Sequence, residues 1–180
     1  GKVVEAGKIL IMNEKGYEVA TGQPGELWIS GPMVIPGYWN DASRTKKEFV
    51  SGFWKSGDIG YVDNEGYIFI LDRKKDVINR GGYKIYSSEI ENLLSLSDLV
   101  IETAVLPCED SILGEKIHVV IYTKEDSKII DQLKSICTKT LAEYKQPDYW
   151  TFLNKELPKN KNGKVIKAQL IKEMSNKFKL

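Results

Sequence analysis

Cysteine is scarce in this sequence, arginine is nearly as rare, and histidine is rarer still. Cys108 and Cys137 stand far apart with no CxxC partner and no histidine cluster, a pattern that indicates neither a zinc site nor a disulfide framework and fits a reducing, cytoplasmic setting. The lone histidine, His118, alternates within the strand-like KIHVVIYT with no serine or cysteine beside it, which excludes a catalytic triad and predicts a structural role. No apolar run approaches the ~20 residues needed to cross a bilayer. The phosphate-binding pattern GxxxxGK[ST] is missing, as is any basic stripe with interleaved aromatics, so nucleic-acid binding is not expected. Charge of one sign is lacking too: Lys+Arg 26 against Asp+Glu 25 leaves a net +1. With no general field to attract an anion, any anion has to be met by local groups. The arginines are Arg44, Arg73 and Arg80 alone.

What is present describes a globular chain. Hydrophobic residues make up 42% and charged residues 28% of 180, enough for one domain or two small ones. KILIMN, ELWISG and YIFILD read as short strands separated by turn residues, with a helix over ASRTKKEFV capped by Asn40 or Asp41 and a hairpin at Asp63 to Gly66. After Asp72 the texture changes. Ser88 and Glu91 have capping-box spacing, Ile90, Leu93 and Leu94 recur at helical intervals, and VIETAVLP and EKIHVVIYT read as strands. A further helix is predicted between Lys128 and Tyr144, and a last one on Leu170, Ile171, Met174 and Phe178. The expected architecture is α+β, a mainly-β part over 1–72 followed by an α+β part over 73–180. The boundary is placed in Asp72 to Asp76, because five consecutive charged side chains make a poor strand interior. The abrupt entry into KILIMN is what a fragment of a longer protein would show.

Three stretches carry candidate chemistry. Asp58 in WKSGD has a carboxylate able to accept from the two hydroxyls of a ribose, although a turn aspartate satisfying its own backbone is the plainer reading. Arg73 ends the strand that returns from the hairpin, so the two residues are expected to face each other across an antiparallel ladder. NRGGYK places Gly81 and Gly82, which allow close approach to the backbone, between Arg80 and Lys84, two cations suited to phosphate oxygens; a plain turn fits equally. LPKNKNGKVIK has a turn signal at Asn162-Gly163 that presents Lys164 at the mouth of a loop.

In their order, GELWISGP, PGYWND, SGDIGYVDNEGYIFILDRKKDVINRGGYKI, SSEIE, GEK and LPKNKNGK resemble the carboxy-terminal part of the adenylate-forming ligases, in the acyl-CoA and aryl-CoA synthetase branch. The resemblance implies the end of a large AMP-binding domain followed by a mobile lid. It also implies a two-step reaction: a carboxylate attacks the α-phosphate of ATP to give an acyl-adenylate, and the thiol of CoA then displaces AMP. Matched motif by motif, Asp58 and Arg73 correspond to the nucleotide-binding pair. Lys164 corresponds to the lysine bridging carboxylate and α-phosphate, and Lys75 to the hinge. Gly81 and Gly82, with Lys84 nearby, correspond to the loop lining the pantetheine tunnel.

The phosphate loop, the adenine pocket and the acyl pocket of that family lie upstream of such a segment, and TGQPG at Thr21 to Gly25 is too short and too poor in hydroxyls to replace them. The chain alone is therefore expected to be inactive, with magnesium ligands outside it and the upstream domain as its partner. Three alternatives stay open at this level. They are an adenylation domain loading a carrier-protein thiol, a non-catalytic nucleotide- or CoA-binding module, and an interaction domain whose lysine-rich tail, Lys155 to Lys179, docks an acidic partner.

Overall fold

The computed structural model describes residues 1–124 and 129–177. The chain divides into two compact units, Gly1–Lys75 and Asp76–Leu180.

The first unit is a five-stranded antiparallel sheet of β1 (Lys8–Met12), β2 (Gly25–Ser30), β3 (Phe49–Val50), β4 (Phe53–Val62) and β5 (Ile68–Arg73), with β4 pairing to β2, β3 and β5. Two of its turns share one geometry. The Asn13 side-chain oxygen accepts from the amides of Lys15 and Tyr17 at 2.9 and 3.0 Å, and Asp63 accepts from those of Glu65 and Tyr67 at 2.9 and 2.8 Å. A short polar side chain here supplies the acceptor that the turning backbone lacks. Asp41 caps α1 (Ala42–Glu48) by accepting from the Arg44 amide at 2.9 Å. This helix is shorter than ASRTKKEFV predicts: Phe49 and Val50 extend and pair with Trp54 and Phe53, where aromatic and β-branched side chains pack on a pleated surface. α1 buries no residue, and the buried apolar side chains of this unit are Ile11, Met12 and Leu27. Trp39 stands 98% exposed. The unit is thus one sheet without the second layer that a well-filled core needs.

The second unit holds β6 (Ile78–Arg80), β7 (Tyr83–Ile85), α2 (Ser87–Leu94), β8 (Glu102–Asp110), β9 (Gly114–Tyr122), α3 (Ile130–Thr140), β10 (Tyr149–Leu153) and α4 (Lys167–Lys177). Its strands run β10-β9-β6-β7 with β8 also on β9, all antiparallel except β10, which joins β9 in parallel after crossing over through α3. Alternation along β8 and β9 supplies two cores. Val105, Ile117, Val119 and Ile121 pack with Ile90 and Leu94 of α2 and Leu133 and Cys137 of α3; Ala104, Leu106 and Val120 pack with Leu157 and with Leu170 and Met174 of α4. Each large aliphatic side chain fully buried in this way contributes about 2 kcal/mol.

The capping box predicted at Ser88 and Glu91 does not form. α2 begins at Ser87, its cap position is Tyr86 with no side-chain capping bond, and Glu91 accepts instead from the Val105 amide at 2.7 Å and lies 2.7 Å from Lys167. Tertiary partners on β8 and α4 outcompete the local one. His118 is buried, with Nε2 2.9 Å from Thr151 Oγ1, and burial lowers its pKa to about 4, so it is a neutral strand residue. Lys128, Phe178 and Lys179, which the sequence places in helical faces and the lysine-rich tail, lie outside the described residues.

Candidate functional site

In the first unit the ladder sets Asp58 opposite Arg73, and Arg73 Nη1 lies 2.8 Å from Asp58 Oδ1. The sequence puts Asp58 just ahead of a strand, but it lies inside the ten-residue β4, beside an irregularity in pairing at Ile59 and Gly60. Such irregularities re-aim neighbouring side chains. Sequence reasoning missed Ser56. Its buried hydroxyl accepts from the Asp58 amide at 3.0 Å, and its carbonyl accepts from Arg73 Nη1 at 3.1 Å, so one residue orients both members of the pair. The S-x-D spacing was the available signal. The Asp58 and Arg73 side chains are 32% and 52% exposed, within reach of a ligand.

The charged stretch is not uniformly outside the sheet. Asp72 and Arg73 end β5, as the reading of YIFILD and Arg73 expects, but Asp72 is buried with Oδ1 accepting from the Arg73 amide at 2.7 Å, which corrects the expectation that the charged side chains of this stretch stay unburied. Only Lys74–Asp76 form a separate 3₁₀ turn. Lys74 Nζ reaches the buried Glu26 at 2.9 Å, while Lys75 is exposed and is the last residue of the first unit.

In the second unit Gly81 and Gly82 make the two-residue turn between β6 and β7, with φ of 57° and 86° that a side chain would resist. Lys84 is exposed on β7. Arg80 is not poised for phosphate as the sequence suggests. Its Nη2 and Nε donate to Asp148 Oδ1 and Oδ2 at 2.8 and 3.2 Å, and its Nη1 to the Tyr144 carbonyl at 3.3 Å, so it clamps the hairpin to the chain before β10. Asp148 carried no sequence signal, because its partner is 68 residues away. Tyr83 stacks on Tyr144 with ring centroids 4.4 Å apart.

Lys164 follows the turn Asn160 to Gly163 and is exposed in the loop between β10 and α4. The structure therefore brings Asp58 and Arg73 together in one unit, and carries the glycine turn with Lys84, and separately Lys164, on the other. Among the described residues no group of three His, Cys, Asp or Glu could hold a metal ion, and no helix is long and apolar enough to cross a membrane.

Residues 89–164 match the AMP-binding enzyme C-terminal domain. A long-chain-fatty-acid–CoA ligase of Yersinia pestis is 34% identical over 94% of this chain, which covers 30% of that protein. A 2-succinylbenzoate–CoA ligase of Listeria monocytogenes is 37% identical over 94% of the chain and 35% of its own length. Among solved structures, the o-succinylbenzoate CoA synthetase of Bacillus subtilis in complex with its acyl-adenylate intermediate matches with a TM-score of 0.88 and 34% identity over 94% of this chain and 34% of that one. The chain thus spans about a third of the length of the relatives it matches. Related over nearly all its residues to that third, the chain belongs to the adenylate-forming ligases as their carboxy-terminal part.

Proposed function

We propose that the chain serves an ATP-dependent acid–thiol ligase, which converts a carboxylate and ATP to an acyl-adenylate and pyrophosphate and then passes the acyl group to the thiol of CoA. The observation that carries this reading is the likeness over both units to an enzyme holding its acyl-adenylate. The thinly filled first unit, one sheet with exposed apolar side chains, suits the end of a larger domain.

In this reading Asp58 accepts from the ribose hydroxyls, since the Oδ1 contact to Arg73 leaves a carboxylate further lone pairs. Arg73, held by Ser56 and Asp58, directs its other donors to ribose and phosphate. Lys164 brings an ammonium between the substrate carboxylate and the α-phosphate, two anions that repel at contact, and offsets the charge that builds as the C–O–P bond forms and pyrophosphate leaves. In the second step Gly81 and Gly82, with Lys84, border the path of the pantetheine thiol. Lys75 is the pivot that lets one lid present Lys164 first and the glycine turn second. Magnesium is expected to accompany ATP in the parent protein, no step here runs through it, and the expected location is the cytoplasm.

The test is carboxylate-dependent exchange of pyrophosphate into ATP. The 180-residue chain alone should give none, and the chain joined to the upstream two thirds of such a ligase should exchange. Lys164→Ala should lower that exchange by about a hundredfold. Exchange by the isolated chain, or exchange untouched by Lys164→Ala, would overturn the proposal.

A further inference from the structure

The loop that carries Lys164 is fastened on both sides. Ahead of it, Glu102 accepts from the Leu157 amide at 2.9 Å and pairs with Lys159, and Leu157 is buried. Behind it, Lys167 Nζ lies 2.7 Å from Glu91 and donates to Ser87 Oγ at 2.6 Å. Between these anchors Lys159 pairs with Val165, and the Ile166 amide donates to the Pro158 carbonyl at 2.7 Å. The tip itself is exposed, with no apolar side chain buried there to fix it. There the Asn160 side-chain oxygen accepts from the amides of Asn162 and Lys164 at 2.9 and 3.0 Å, while Gly163 takes φ 77°.

We infer that Asn160 is a positioning residue for Lys164: by accepting its amide, Asn160 fixes where the lysine backbone stands, and so where the ammonium can reach. The inference rests on the adenylation role proposed for Lys164. A flexible four-carbon stem magnifies any drift at its root, and misplacement by ~1 Å costs on the order of a hundredfold in a reaction that needs aligned partners. The same turn is headed by Asn13 and by Asp63 in the first unit, so either an amide or a carboxylate oxygen can accept the two N–H groups. Ahead of Lys164 the amide does so without placing an anion beside a cation that has to face anionic substrates.

The experiment uses the full ligase that carries this chain, assayed separately for pyrophosphate exchange and for thioester formation from supplied acyl-adenylate, together with backbone hydrogen exchange. Asn160→Ala should slow pyrophosphate exchange about tenfold with KM for ATP unchanged, leave thioester formation within twofold, and speed hydrogen exchange at the Lys164 amide while the Val105 amide stays protected. Asn160→Asp should restore Lys164 amide protection and most of the rate. Gly163→Ala, strained at the same turn, should repeat the alanine pattern, which keeps the test decisive if Asn160→Ala folds poorly. Pyrophosphate exchange within twofold for both Asn160→Ala and Gly163→Ala, or equal loss in both half-reactions, would overturn the inference. Lys164→Ala separates the two levels: if it leaves pyrophosphate exchange intact, the role of Lys164 fails; if it abolishes exchange while Asn160→Ala does not slow it, only the positioning role fails.

Discussion

Asp148 holds Arg80 through both carboxylate oxygens, at 2.8 and 3.2 Å, and with the second of them also accepts from the Ile117 amide at 2.9 Å. One side chain thereby joins the β6–β7 hairpin, β9 and the approach to β10. Both partners are mostly buried, so their removal leaves unpaired groups that water only partly satisfies. Asp148→Ala should lower unfolding free energy by about 2 to 4 kcal/mol in urea titrations. Arg80→Lys, which cannot form the forked contact, should recover less than half of that difference. A change below about 0.5 kcal/mol for Asp148→Ala would show the clamp to be idle.

Acid should find His118. Its folded pKa of about 4 lies below the ordinary 6.5, because burial disfavours the charged ring. Between those values the unfolded chain binds a proton that the folded chain refuses, so stability is complete above pH 6.5 and falls as the pH drops toward 4, by about 3 kcal/mol at most. Asp110 is held down to about 2, chiefly by Lys116 and by the Leu113 and Ile112 amides, so its stabilisation is present above 3.8 and is lost only at lower pH. Unfolding free energies at pH 7 and 4.5 should therefore differ less in His118→Asn than in the parent. Equal differences would remove the histidine from the account.

A proline at the pivot restricts the motion proposed for it. Lys75→Pro fixes φ near −65° in the turn between the units. Pyrophosphate exchange and thioester formation in the full ligase should each fall about tenfold or more, and turnover unchanged by the substitution would move the pivot elsewhere.

The two thiols should differ in reactivity. Burial raises Cys137 to about 11 and raises Cys108 as well, but Cys108 is only half-buried. Iodoacetamide at pH 8, followed by mass spectrometry of peptides, should label Cys108 at least about tenfold faster, with the two rates converging in urea. Equal rates in the folded protein would contradict the burial of Cys137.

Strands β1, β2, β5, β8 and β9, an α1 cap at Asn40 or Asp41, the Asp58–Arg73 register and the turn before Lys164 were legible because each depends on residues close in sequence or on a period-2 pattern. The short β3, β6 and β7 and the crossover strand β10 were not. The failures share a cause. Ser88 and Glu91 have the right local spacing, yet Glu91 is claimed by Val105 and Lys167; Arg80 looks free for phosphate, yet Asp148 holds it. In both, a charged group finds a partner across the fold that no short window contains. The burial of Asp72 was missed for another reason: a run of five charges hides the one member whose carboxylate turns back to accept the adjacent Arg73 amide and is buried.

The parallel seam between β9 and β10 sets an order of assembly. An antiparallel neighbour can zip up as soon as its turn has left the ribosome, but β10 has to wait until α3 and the turn after it exist. Lys164 comes eleven residues later still. A nascent chain halted between residues 122 and 149 would carry a finished β8–β9 hairpin whose β9 edge still lacks β10, ready to take up a stranger's strand, and no working lysine.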